Sequence, residues 1–339
     1  MTLGRGIWRS GAKAVAAVVA LAGAVAPAAA QTYTLKIGNA TINDVQHEWQ
    51  KRWGARVEKR AGGRIKVEIY PASQLGSIPR MLEGLQLGTV EAWIGPPEFV
   101  VGHDPRFQVL GAPGVFDSMA HAYRVIGDGK FRETIMSLGE AKGMKGVSLI
   151  VYGPTSYATR RPVRTLDDFR GLKIRVFASP MQTLALARLG ATAAPMPLSE
   201  VMPALQRGAI DGNRTGITIF TTFKYYDVLK TVTETHDAMV TSIALVSKAW
   251  YDKLPPDLQA ILVEEGEAVQ KELFDWTVDF NEKGRKLWVE KGGELIKLPA
   301  ADQAEMMKRL STVGDEVVAA QPQLKAVYDL MVRTAREKR

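Results

Sequence analysis

The feature that most constrains this chain is an alternation, run through twice, between short stretches of period two and longer stretches of helical period. Thr34-Leu35-Lys36-Ile37-Gly38 alternates as a half-buried strand does. Val45, Trp49, Trp53 and Val57 then recur every four residues, one face of a helix, which Gly62-Gly63 ends. Ile65, Val67 and Ile69 alternate again, and Pro71 closes that strand. Ser77 and Pro79 start a helix that reaches Leu87, and 90–94 reads as a third strand. This β-α-β-α-β order belongs to a sheet with helices on its faces. Helical stretches at 118–126 and 130–142 follow. A second series then occupies roughly 146–212: strands at 147–151, 172–176, 193–196 and 209–211, with helices from Ser179-Pro180 to Leu189 and from Ser199 to Arg207. Two such series in one chain define two α/β lobes. Residues 213–230 read as a loop. Strands are expected at 231–234 and 242–246, and one or both must cross between the lobes.

Pro255-Pro256 open a helix that meets no further proline before Pro299. Leu258, Ile261, Leu262, Val269, Leu273, Trp276, Phe280 and Leu287 give it a nearly continuous apolar stripe. A helix over 256–290 is roughly 50 Å long, enough to bridge two lobes. Two amphipathic helices are expected over 301–336. The expected organisation is therefore lobe one over 31–150, lobe two over 151–239, and part of 240–339 returning to lobe one.

Residues 1–30 read as a cleaved secretory signal. Arg5, Arg9 and Lys13 precede an Ala/Val/Leu-rich run at 14–26, and Pro27-Ala28-Ala29-Ala30 ends in a small-residue cleavage pattern that leaves Gln31 first. The apolar run is shorter than the ~20 residues a membrane span needs. The formal charge is +8; removing the three leader cations leaves 8 − 3 = +5. Basic residues alternate with acids, as in Arg56-Val57-Glu58-Lys59-Arg60, rather than forming a basic run. With the secretory context, this argues against a nucleic-acid partner. The absence of cysteine excludes disulfides, thiolate nucleophiles and cysteine metal sites.

The catalytic inventory is thin. His47, His103, His121 and His236 have no mutual spacing of three or four residues, so they form no helical metal pair. No nucleophile elbow, phosphate-binding loop or dinucleotide fingerprint occurs. No enzyme activity, cofactor or metal is expected.

An ordered series of motifs runs through nearly the whole chain after the leader. Gly62-Gly63-Arg64-Ile65-Lys66-Val67 is followed by Tyr70-Pro71-Ala72-Ser73-Gln74-Leu75-Gly76 and by Met81-Leu82-Glu83-Gly84-Leu85-Gln86-Leu87-Gly88-Thr89. Arg161-Pro162-Val163, Asp168-Phe169-Arg170-Gly171-Leu172-Lys173-Ile174-Arg175-Val176, Pro195-Met196-Pro197-Leu198-Ser199-Glu200 and Asp211-Gly212 come after them. The series resembles the solute-binding proteins of TRAP (tripartite ATP-independent periplasmic) transporters, the DctP-like family. The resemblance implies an α/β, two-lobed periplasmic-binding-protein fold, type II-like, with a long helix bridging the lobes. It implies a periplasmic receptor that captures a small organic acid and passes it to a TRAP membrane permease, meeting the membrane only through that partner. A ligand sensor for a signalling system, or a hydrolase or lyase on the same scaffold, are the alternatives.

The family's carboxylate-binding arginine matches Arg175. Physical argument supports the match: a guanidinium meets a carboxylate with a planar fork of donors. Between Ile174 and Val176 on a strand, Arg175 points away from its apolar neighbours, and it lies near the strand's carboxyl end, where α/β sheets place ligands. The chain departs from the family after Asp211-Gly212. Where many members carry a pocket-lining acid or amide and then Asn or Trp, this chain has Arg214 and Thr215, preceded by Asn213. An arginine donates and never accepts, so no metal is expected there. Arg214 is either a second cation for the ligand or an outward residue paired with a surface acid. Ser156, Tyr157, Asn39, Thr41, His47 and Phe220 complete the candidate set. The aromatics Phe223, Tyr225 and Tyr226 either wall the pocket or only pack the lobe.

Overall fold

The computed structural model describes residues 31–339, so the expected leader lies outside the described residues. The first series comprises β1 (Tyr33–Gly38), α1 (Val45–Ala61), β2 (Ile65–Tyr70), α2 (Ile78–Leu87) and β3 (Ala92–Gly95). Helix α1 begins where the Asp44 side chain accepts the His47 N–H and ends where Gly62 takes a left-handed conformation. Its four-residue repeat buries Val45, Trp49, Trp53 and Val57, and the two tryptophans stack with centroids 4.7 Å apart. Helices α3 (Met119–Ile126) and α4 (Gly129–Ser137) precede β4 (Met144–Thr159), a strand of 16 residues.

The second series follows as β5 (Lys173–Val176), α5 (Pro180–Arg188), β6 (Thr192–Pro195), α6 (Leu198–Gln206) and β7 (Gly212–Gly216). Then come α7 (Ile217–Thr222), β8 (Thr231–Thr233), β9 (Met239–Ser247), α8 (Lys248–Tyr251) and α9 (Pro256–Glu290). The chain closes with β10 (Glu294–Ile296), α10 (Ala300–Leu310), α11 (Val313–Ala320) and α12 (Lys325–Glu337). The C-terminal part thus holds three helices where two were expected, because Gln321-Pro322 interrupts the pattern.

The strand order is β2-β1-β3-β9-β4-β7-β5-β6, with β8 against β4 and β10 against β8. Strand β4 joins the lobes. Its residues from Met144 to Pro154 pair with β9, next to β3, whereas Thr155 to Thr159 pair with β7 in the second lobe. Register shifts between Gly146 and Ser148 and between Val151 and Gly153 let this long strand bend from one sheet into the other. Residues 213–230, read as a loop, instead hold β7, α7 and a short 3-10 turn. The Gly-Asn-Arg-Thr-Gly sequence of β7 has no strand propensity of its own; ladders to β4 and β5 on its two sides impose the conformation.

Helix α9 spans 35 residues, roughly 50 Å at the helical rise, and packs on α1 and β4 as well as on α7 and β10. Its apolar stripe does not run straight through. The first half buries Leu258, Leu262, Val269 and Leu273, but the second half buries Thr277, Asn281, Gly284 and Trp288, leaving Trp276 and Phe280 half-exposed and stacked on each other. The small and polar residues let the helix approach backbone: Asn281 donates to the Tyr152 carbonyl at 3.0 Å. Trp53 donates to the Leu262 carbonyl at 3.0 Å, and buried Glu265 accepts from Arg56 and Arg60, so α1 and α9 are held by both packing and charge. The tightest approach is at Gly266, where a Cβ would lie 2.3 Å from the Val147 carbonyl oxygen. Gly266→Ala is therefore expected to push α9 off β4 and cost about 1–3 kcal/mol. Thermal unfolding checks this as a drop in Tm of several degrees, despite alanine's better helix propensity.

Candidate functional site

A cavity lies where the carboxyl ends of parallel strands from the two lobes meet, the position at which α/β sheets gather ligands. About 410 Å³ of non-atom space, open solvent at its mouth included, lies between the lining atoms. The segment after β1 supplies Thr41, α1 supplies Gln46, and β3 and the turn after it supply Trp93 and Phe99. From the second lobe come Arg175 and Phe177 of β5 and the residue beyond it, Thr215 of β7 and Ile219 of α7. Tyr152 of β4 reaches the cavity from the crossing strand, oriented by a 2.9 Å hydrogen bond from its hydroxyl to the buried Asp44.

Strand parity places Arg175. Ile174 and Val176 enter the core cluster behind the sheet, while Arg175, paired in register with Asn213, faces the cavity. The guanidinium is 1% exposed. Its Nε and Nη2 donate to the Met196 carbonyl at 3.0 and 2.9 Å, and Nη1 donates to Asn213 Oδ1 at 3.4 Å. These bonds fix the plane and leave one N–H on each terminal nitrogen, an end-on fork. Phe177 and Phe99 flank the cation, with ring centroids 4.9 and 5.8 Å from Cζ. No carboxylate forms a salt bridge with Arg175 among the described residues. Burial pulls its pKa down to about 10, with the Tyr225 hydroxyl and Glu98 pulling weakly the other way.

The other expected site residues divide. Thr215 lines the cavity, and Asn213 contacts Arg175. Asn39 stands one step back, donating to Thr41 Oγ1 at 2.8 Å, which donates to Gln46 Oε1 at 3.2 Å. Ser156 shares the cavity-side face through its register with Thr215 but is buried and does not line the cavity. His47 does not line the cavity; it sits half-buried in the first turn of α1, its Nδ1 accepting the Asn43 N–H at 3.0 Å. Phe220 packs with Tyr225 and Trp288 inside the lobe.

Arg214 is neither a second ligand cation nor an outward surface residue. It faces the opposite side of β7 from Asn213 and Thr215, fully buried, with Nη2 on Asp237 Oδ2 at 2.5 Å and Nε donating to the Tyr157 hydroxyl at 3.0 Å. Tyr157 belongs to that network and not to the cavity. Burial alone would raise the Asp237 pKa, but the Arg214 charge, with hydrogen bonds from Arg214, Thr235 and Thr155, holds it below the ordinary range.

Sequence reasoning missed Trp93, Phe99, Phe177, Gln46 and Tyr152. Trp93 and Phe99 flank Pro96-Pro97, where a strand ends and the chain turns, and the carboxyl-end rule pointed there. The Trp93 ring lies flat over Gly95, whose Cβ would meet it at 2.3 Å, so glycine at that position sets the ring's pose.

Two α/β lobes joined by a shared strand and a long helix, closed around a buried cation with no salt-bridge partner among the described residues, define a solute-binding receptor for an anion. The chain belongs to family 7 of the bacterial extracellular solute-binding proteins, the DctP family, whose model matches residues 38–321. This is the TRAP-transporter receptor family to which the motif series pointed. The chain is 29% identical over 84% of its length to the 2,3-diketo-L-gulonate-binding periplasmic protein YiaO of Escherichia coli, covering 80% of that protein. It is 30% identical over 86% of its length to the C4-dicarboxylate-binding periplasmic protein DctP of Rhodobacter capsulatus, covering 88% of it. Among solved structures, a TRAP periplasmic solute-binding protein from Desulfovibrio salexigens with bound orotic acid superposes with a TM-score of 0.87 at 23% identity, over 91% of this chain and all of that one.

One further group bears on the cavity's charge. Glu98 is buried beside it and accepts a 3.2 Å hydrogen bond from Gln182 on Oε1, while Oε2 has no partner among the described residues. Burial pushes its pKa up to about 7, against the pull of its own backbone N–H, Arg214, Gln182 and Arg175. A carboxyl whose folded pKa is raised favours the folded state below its unfolded pKa of about 4.5, and that contribution is lost as pH rises toward 7. Relative to the Glu98→Gln variant, the wild-type protein is therefore expected to lose on the order of 3 kcal/mol between pH 4.5 and pH 7.5. Urea unfolding of both proteins at the two pH values checks this; parallel pH profiles would refute it.

Proposed function

We propose that the protein is a periplasmic receptor that captures a small organic acid, anchors its carboxylate on Arg175 and delivers it unchanged to the membrane permease of a TRAP system. One observation carries the reading: Arg175 is a fully buried cation with an oriented, partly unspent donor fork and no acidic partner among the described residues. A buried charge of this kind is costly until an anion enters, so the free energy of pairing is kept for the ligand. The aromatic rings beside it exclude water, which raises the worth of the ion pair over its value in solution.

The relatives support the chemistry. Diketogulonate, C4-dicarboxylates and orotic acid, named for the proteins compared above, are all carboxylates. The lining draws on both lobes, so an acid seated at Arg175 also touches Thr41, Gln46 and Trp93 across the cleft and favours the closed arrangement by contacts that an open one lacks. The leader motif supports export, and the family supports delivery to a permease. The matched family is one of extracellular solute-binding proteins, which supports a ligand that is carried and not converted.

The test is binding by the purified protein of the acid identified by mass spectrometry after release from the wild type. Truncating one partner of a buried, hydrogen-bonded charge pair costs about 2–5 kcal/mol. Arg175→Ala is thus expected to weaken binding at least about 30-fold and to remove the ligand's thermal stabilisation, while Arg175→Lys retains part of it. Unchanged affinity in Arg175→Ala would refute the assignment.

A further inference from the structure

We infer that the ligand is a monocarboxylate with a branched or aromatic apolar body and a single further acceptor oxygen, which the indole N–H of Trp93 receives. The inference rests on Arg175 as the carboxylate anchor and narrows what that anchor holds.

The argument begins with cations. A second carboxylate buried in the cavity needs a second positive group. Among the described residues Arg175 is the charged group of the lining, and neither lysine nor histidine joins it. Arg214, the guanidinium on neighbouring β7, points to the far face and is neutralised by Asp237. Glu98, close enough to influence Arg175, adds negative and not positive character at the cavity's edge. A dicarboxylate would thus carry its second charge against Ile78, Phe99, Phe177, Leu198 and Ile219.

The polar groups of the lining narrow the class further. Thr41 and Gln46 are tied into a chain that runs from Asn39 through Thr41 and Gln46 to Ser242, with the last step 3.1 Å, which uses the Thr41 donor and one of the two Gln46 donors. The Tyr152 hydroxyl is spent on Asp44. What remains is the Arg175 fork, the Thr215 hydroxyl, the second Gln46 Nε2–H and the Trp93 Nε1–H, and of these the indole is fully buried and has no partner at all among the described residues. An indole N–H is a donor only, so it asks the ligand for an acceptor. A polyhydroxylated sugar acid brings several hydroxyls to a wall that can satisfy few of them, and unpaired buried hydroxyls weaken binding. An apolar body gains instead by leaving water for the aliphatic and aromatic wall.

Isothermal titration of the mature wild-type protein, Arg175→Ala and Trp93→Phe with four probes tests this: 4-methyl-2-oxopentanoate, 4-methylpentanoate, succinate and D-glucuronate. The wild type is expected to bind the oxo acid roughly 10-fold more tightly than its deoxo counterpart, the size of one buried hydrogen bond. Both branched acids are expected to exceed succinate and D-glucuronate by at least about 10-fold. In Trp93→Phe the preference for the oxo acid over the deoxo acid should collapse toward unity, a ratio that divides out any general loosening of the cleft. If succinate or D-glucuronate binds the wild type as tightly as the branched acids, or if none of the four binds, the ligand class is wrong. Loss of the succinate or glucuronate binding in Arg175→Ala would then leave the carboxylate anchor standing. Binding of any probe unaffected by Arg175→Ala would overturn the anchor itself. Equal weakening of both branched acids in Trp93→Phe would overturn the role of the indole.

Discussion

The structure depends on one guanidinium held out of water without an acid. Most buried arginines are neutralised at once by a neighbouring carboxylate, as Arg214 is by Asp237 in the same sheet. Arg175 is held by a backbone carbonyl and an amide, which orient it and leave its charge uncancelled. Glu98, the acid able to compensate it, is buried where its proton leaves only near neutral pH, so its compensation is partial. The contrast between two arginines 39 positions apart, on neighbouring strands of one sheet, separates a cation left open at the cavity from one neutralised inside the lobe more sharply than burial does, since both are 1% exposed.

That separation follows from the period of a strand. Side chains on β7 alternate, so Arg214 cannot share a face with Asn213 and Thr215. Once Arg175 is placed in the cavity and paired in register with Asn213, Thr215 falls on the ligand side and Arg214 falls behind the sheet with Tyr157. The parity rule was available from the sequence, but the register was not. Gly212-Asn213-Arg214-Thr215-Gly216 carries no apolar alternation, and a strand held only by its neighbours' ladders leaves no local trace.

Legibility elsewhere followed the same logic. Where burial is one-sided, as along α1 or in β1 and β2, the hydrophobic period exposed the element and its face. The long helix was readable from its prolines and length, yet the face it turns inward over its second half was not, because Thr277, Asn281 and Gly284 are chosen for close approach and backbone hydrogen bonds rather than for apolarity. In the cavity, Arg175 was legible through its motif. Trp93, Phe99 and Phe177 were not, because an aromatic residue at a strand end reads the same whether it packs a core or walls a ligand site. Only the meeting of two lobes, with residues more than 80 positions apart on one surface, distinguishes the two.

The misread arginine points to what holds the lobes in relation to each other. The chain passes between them along β4, along α9 and through the segment linking β8 to β9. Asp237 lies in that linking segment. It accepts from Arg214 on β7, from Thr155 at the bend of β4 and from Thr235, while backbone bonds join Thr155 to Ala238 at 3.0 Å and to His236 at 3.0 Å. The β4 crossing and the β8–β9 crossing are thereby tied together by one fully buried carboxylate. The Asp237 pKa is held low, so this tie persists through the pH range in which Glu98 titrates and loosens only under acid conditions below its ordinary range. The open cation of the second lobe and that lobe's attachment to the first are therefore built on opposite faces of the same strand pair. One charge is left open at the cavity, and the other is closed off where two chain crossings meet.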